Sequence, residues 1–146
     1  MGSGSSGYGI GRSGGGTSGS TDGGYKGGAS KQRTIGDNLG ALRLKYDYRN
    51  GYFGERGGSR EVRHLFSDNP VTQAWDFYDT AGYGGIERQM RNGKGQTCTM
   101  RDGTVISIRE VSSSDGSPAV DINIRRSTGS SGVKRQKIHF VRERRG

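Results

Sequence analysis

Two hydrophobic rhythms run through the chain from Glu61 onward. The first is helical. Val71, Ala74, Trp75 and Tyr78 recur at three- and four-residue spacing, with Phe77 and Ala81 on the flank, so an α-helix would gather them into one stripe. Pro70 suits a first helical turn, where its missing N–H costs nothing, and Ser67, Asp68 or Asn69 is suited to cap it. Gly82 and Gly84-Gly85 then stop the helix. The second rhythm has a period of two and predicts strands over 86–91, 96–100, 104–111, 119–125 and 134–142. Turns at Asn92-Gly93 and Asp102-Gly103, and polar loops over 112–118 and 127–132, separate them. Strand side chains alternate faces. Ile106 with Ile108, Val120 with Ile122 and Ile124, and Ile138 with Phe140 therefore form one apolar side for the helix to cover. The expected fold is α+β: one or two N-terminal helices packed on a four- to five-stranded antiparallel sheet.

Ahead of this pattern the signal fades. Val62 and Leu65-Phe66 make a short apolar element. Residues 34–60 read as a poorly defined basic and aromatic segment, glycine-rich over 48–58, with Leu39, Leu42, Leu44 and Tyr46 suited to one short element. Thirteen of the 29 glycines fall within residues 1–30, whose only larger apolar or aromatic groups are Met1, Tyr8, Ile10 and Tyr25. Such a stretch buries too little to offset its ordering entropy. Residues 1–33 are expected to be a flexible linker or an expression tag, and 61–146 the functional domain.

Charge narrows the partners. The formal net charge is +9, which favours nucleic acid first, an anionic membrane surface second and an acidic protein third. No run of 18 apolar residues is present, so no membrane-spanning helix is expected. One cysteine, Cys98, forms no internal disulfide, and with only two histidines beside it the chain lacks a zinc-ligand set. Neither a metal nor a cofactor is expected.

Alternation also dictates what the other side of the sheet carries: Ser107 and Arg109, then Asp121, Asn123 and Arg125, then Lys137 and His139. These groups suit transesterification of RNA, in which the 2′-OH attacks the adjacent phosphorus and expels the 5′-oxygen. His139 titrates in the range needed for proton transfer. Arg109 and Lys137 supply fixed charge against the phosphorane, and Ser112 and Ser117 supply hydroxyls to phosphate oxygens. Asp121 either orients His139 or forms a cross-strand ion pair. Arg125, Lys134, Arg135, Asn123 and Lys94 are expected to contact the RNA.

The segment from Asp102 to Ile124, with Arg109, Ser112, Ser113, Pro118 and Asp121, closed by Gln136-Lys137-Ile138-His139-Phe140, resembles the C-terminal toxin domains of bacterial polymorphic toxin systems. Those most similar are ribonucleases grouped with barnase, EndoU, colicin and RelE. The resemblance covers roughly residues 62–141. It implies helices before a four-stranded antiparallel sheet and active residues on the open sheet face. It further implies delivery of a secreted effector into a target-cell cytoplasm, and a cognate, acidic immunity protein.

Other residues invite other readings. His64, beside Leu65 and Phe66, reads as structural, Cys98 as a packed small residue, and Trp75 as core. Tyr46, Tyr48, Tyr52 and Phe53 alternate with Arg43, Lys45, Arg49 and Arg56, either stacking on single-stranded RNA or forming a loose basic arm. The 142–145 tail reads as solvated charge or phosphate contact. Two rivals to the nuclease are a non-catalytic nucleic-acid-binding module and an ADP-ribosyltransferase, for which Glu110 and Glu143 are the late acids. No phosphate-loop motif occurs.

Overall fold

The computed structural model describes residues 24–112, 115–126 and 129–142. The 1–23 part of the expected linker, Ser113 and residues 143–145 of the tail lie outside them. In chain order the elements are α1 (Ile35–Lys45), β1 (Tyr48–Arg49), β2 (Tyr52–Phe53), β3 (Glu55–Arg56), β4 (Val62–Phe66), α2 (Pro70–Ala81), β5 (Ile86–Gln89), β6 (Gln96–Thr99), β7 (Val105–Arg109), β8 (Ala119–Asn123) and β9 (Gln136–Val141). Strands β3 to β9 form one seven-stranded sheet in the order β3-β4-β9-β8-β7-β6-β5, and β1 pairs with β2 separately. The α+β class stands. The sheet is larger than four to five strands and is mixed, because β4 lies parallel to β9. The short apolar element around Val62 is thus a strand beside the one that carries His139.

The five strands expected after α2 form an antiparallel meander. Gly93 and Gly103 take positive φ in their turns, as tight hairpins demand. Helix α2 covers the 70–81 span, but its buried stripe is Ala74, Phe77, Tyr78 and Ala81. Val71 is exposed, and Trp75 is half-buried with its indole N–H donating to Glu110 at 2.7 Å. Phe77, expected on the flank, is fully buried against Phe53 and Phe140.

Residues 34–60 are ordered, against expectation. Thr34 and Asp37 form a reciprocal capping box at the start of α1, which satisfies two amide groups that the helix itself leaves open. Ile35, Leu39, Leu42, Tyr46 and Phe53 join the core. Asn50 and Gly51, both with positive φ, make the turn between β1 and β2. Gln136 docks that hairpin on β9: its Oε1 accepts from the Phe53 amide at 2.8 Å, and its Nε2 donates to the carbonyls of Gly51 and Lys134 at 2.9 and 2.7 Å. The fold reaches back into the expected linker as well. Lys26 pairs with Asp79 at 2.8 Å and Glu87 at 3.1 Å, and Ala29 is buried. The aromatic residues that suited either an RNA-stacking surface or a loose basic arm are largely packed into the fold. Tyr46 and Phe53 are core, and Tyr48 packs on Phe53 at 4.7 Å.

Both helices lie on the side of the sheet lined by Ile106, Ile108, Val120, Ile122, Ile138 and Phe140. Among the described residues no helix is long and apolar enough to cross a membrane.

A candidate active site on the uncovered sheet face

Strand register sets two parallel rows on the side away from the helices. Arg88, Thr97, Ser107, Asp121, Lys137 and Val62 are successive cross-strand partners from β5 to β4. The next row runs Arg109, Ala119, His139, His64 and Glu55. Neighbouring strands lie about 4.8 Å apart, so residues distant in the chain become lateral neighbours. The two imidazoles, His139 and His64, have ring centroids 5.9 Å apart and near-perpendicular planes. His64 was expected to be structural. The parallel pairing of β4 with β9 puts it beside His139, and no local pattern announces a pairing between segments so far apart in the chain.

A glycine holds that arrangement from the side. Gly54, with φ of +69°, packs so close to the His64 carbonyl that a Cβ would collide with it. The hairpin that precedes β3 therefore lies directly against the His64 backbone.

His139 is only 4% exposed. Its Nδ1 lies 2.8 Å from Ser117 Oγ and 3.4 Å from Asp115 Oδ1. Asp115 was not singled out in the sequence, yet it ties Ser112 to Ser117. Its Oδ1 accepts from Ser112 Oγ at 2.9 Å, from the Ser117 amide at 3.0 Å and from Ser117 Oγ at 2.6 Å. Hydrogen bonds from the Ser117 side chain and backbone hold its carboxyl far below the usual range, with smaller contributions from Ser112 and His139. The Phe140 amide, donating to the Pro118 carbonyl at 2.8 Å, ties the loop to β9. Both serine hydroxyls donate to Asp115. Ser112 is buried and braces the loop, and Ser117 faces His139 with its proton committed to Asp115.

Burial, the largest effect, pushes His139 below the ordinary imidazole range. Lys137 and His64 push the same way, while Asp115 and Asp121 oppose. Asp121, half-buried, is shifted up. Its burial outweighs the surrounding positive charge of Lys137, Arg109, His139 and Arg135. Register places Lys137 directly across from Asp121, and Arg109 and His139 on either side of Ala119, two residues before Asp121 on the same face. Of the two acids, Asp115 is the one in contact with His139.

The other expected RNA contacts divide. Asn123 follows Asp121 on the same face and pairs with Val105. Lys94, at the tip of the β5–β6 turn, lines a cleft with Arg109, Trp75, Glu110 and Ser112. Arg125 is exposed beyond the end of β8, near Gly103. Lys134 lies against the β1–β2 hairpin, its amide donating to Gly51 at 2.9 Å, away from the rows. Cys98 is buried, donates to the Gly82 carbonyl at 3.2 Å, and has its thiol pushed up to about 12 by burial. It packs as expected. Among the described residues no group of three or more His, Cys, Asp and Glu side chains is placed to hold a metal ion. Comparisons with protein families, curated proteins and solved structures found no match.

Proposed function

We propose that this chain is a basic endoribonuclease that cleaves RNA through attack of the 2′-OH, leaving a 2′,3′-cyclic phosphate, with no metal or cofactor in the chemistry. The observation that carries the proposal is the imidazole pair, His139 and His64, at 5.9 Å on a sheet face shared with Arg109 and Lys137. The reaction requires one proton taken and one given, and histidine does both near neutral pH. Arg109 and Lys137 then face the phosphoryl oxygens, where charge grows as the phosphorane forms. Arg135, Asn123 and Lys94 extend the contact along the RNA. A basic face of this kind suits an acidic protein inhibitor. The toxin-domain resemblance supports reading the chain as an effector domain that acts in a target-cell cytoplasm, with an immunity protein as its partner.

The test is direct. Purified protein incubated with RNA in EDTA should yield fragments ending in 2′,3′-cyclic phosphate, and His139→Ala should stop cleavage while the protein still melts cooperatively. RNA bound but left intact across varied substrates would instead make this a binding module, and modification that needs added NAD would make it a transferase.

A further inference from the structure

The hydrogen bonds around His139 go beyond the presence of two imidazoles: they fix which nitrogen carries hydrogen. Asp115 is an ionised carboxylate, held so by the hydrogen bonds it receives, and it has no proton to give. Ser117 must therefore donate its single hydroxyl proton to Asp115, across 2.6 Å. Toward His139 the same oxygen, 2.8 Å from Nδ1, is left only as an acceptor. Nδ1 is then the N–H nitrogen, and Nε2 of the neutral ring holds the lone pair. The other imidazole, His64, has no place in this chain of bonds.

Resting on the ribonuclease reading, we infer that His139 is the general base of the site, that Asp115 acting through Ser117 is its positioning partner, and that His64 is the general acid. In the step, the O2′–H proton passes to Nε2 of His139 as O2′ bonds to phosphorus. The P–O5′ bond breaks, and the departing oxygen takes a proton from the imidazolium of His64. One proton enters the site at His139 and one leaves it at His64. The products are a 2′,3′-cyclic phosphate and a 5′-hydroxyl, and the two rings return to their starting states by exchange with water.

The groups facing His139 fit this division. Asp115 faces it from the loop, Lys137 from its own strand, His64 from β4 and Asp121 from β8. Burial, with smaller contributions from Lys137 and His64, lowers the ring's affinity for a proton, which suits a base at rest. Asp115 partly offsets them and stabilises the cation that forms after proton transfer.

Two measurements test the inference on the full chain. The first needs no RNA: side-chain 15N NMR of the neutral protein. The parent should show His139 as the Nδ1–H tautomer, and Ser117→Ala should show a tautomer mixture. Ser117→Thr, which keeps the hydroxyl, should restore the parent signature. An Nε2–H tautomer in the parent, or one unchanged by Ser117→Ala, overturns the positioning role. The second uses leaving-group chemistry. On RNA, each histidine-to-alanine variant should lose about 10²–10⁴-fold in rate. On an aryl 3′-phosphodiester of a ribonucleoside, whose leaving group needs no proton, His64→Ala should recover most of the parent rate and His139→Ala should not. The reverse pattern overturns the assignment. If the parent cleaves neither substrate, the ribonuclease reading itself falls, while the NMR result still decides the positioning chain.

Discussion

Ile138 and His139 are neighbours in the chain and stand on opposite sides of one sheet. Ile138 is fully buried beneath the helices, among residues whose one requirement is to fill space. His139 is nearly as buried, at 4% exposure, but its neighbours are Ser117, Asp115, His64 and the charges of Lys137 and Asp121. Both environments exclude water. On the helix side this yields stability, because apolar area leaves solvent. On the other side it strengthens electrostatic interactions, because charges and lone pairs meet with little screening between them. The sheet separates these two environments from one residue to the next, with a period of two. Mutations on the two sides should therefore fail in different ways.

The sharpest contrast is Phe77→Ala against His139→Ala. Phe77 is fully buried, packed against Tyr46, Phe53 and Phe140. Its truncation should cost about 3–5 kcal/mol in denaturant unfolding while activity per folded molecule stays at the parent level. For His139→Ala the pattern should invert, with cleavage down about 10²–10⁴-fold and only a modest shift in the unfolding midpoint. If each variant lost both properties equally, the division between the two faces would be wrong.

A smaller effect is expected at Arg109. Replacing it with Ala should lower kcat by about 10²-fold, the scale of one lost donor to a developing oxyanion. Lysine there should recover only part of that, because it offers a point charge in place of a planar fork. Full recovery with lysine would reduce Arg109 to a general electrostatic role.

The acid limb of stability probes Asp115. Its folded-state pKa lies below the unfolded value of 3.8, so the folded state binds fewer protons in the window just below that value. Its stabilisation is complete above pH 3.8 and is lost as pH falls through the folded pKa. Asp115→Asn should remove this component, so parent and variant should differ in stability near neutrality and converge toward the acid limit. His139, also depressed, adds a separate loss as pH drops below its unfolded value of 6.5. A constant stability gap at every pH would sink the claim for Asp115. The smallest effect should come from Leu44, 89% exposed on α1. Leu44→Ser should leave melting and cleavage nearly unchanged, and a large loss of either would reveal an unrecognised contact on that helix.

The period-two pattern was enough to place Ile106, Val120, Ile122 and Ile138 on one side and Ser107, Arg109, Asp121, Lys137 and His139 on the other. It needed only local alternation, which five antiparallel strands, each paired with the next in the chain, preserve. Helix α2 was equally legible from its proline start and glycine stop. Two local signals in the 34–60 segment were there to be read: Thr34 with Asp37 as a capping pair, and Asn50-Gly51 as a hairpin turn. Glycine-rich composition outweighed them, although glycine there serves tight turns and close backbone approach.

What the sequence determined by itself was therefore the two-sided sheet, its helix cover and the identity of His139, Arg109 and Lys137 as one surface. Tertiary structure alone decided the rest. The parallel pairing of β4 with β9 brought His64 to His139, and the fold of the 112–118 loop turned Asp115 and Ser117 toward the same ring. The physical reason is range. Alternation and capping act between residues a few positions apart, so composition and spacing reveal them. A lateral neighbour across a parallel pair, or a carboxylate reaching an imidazole through a serine, depends on where distant segments come to rest. That is settled only when the whole core packs.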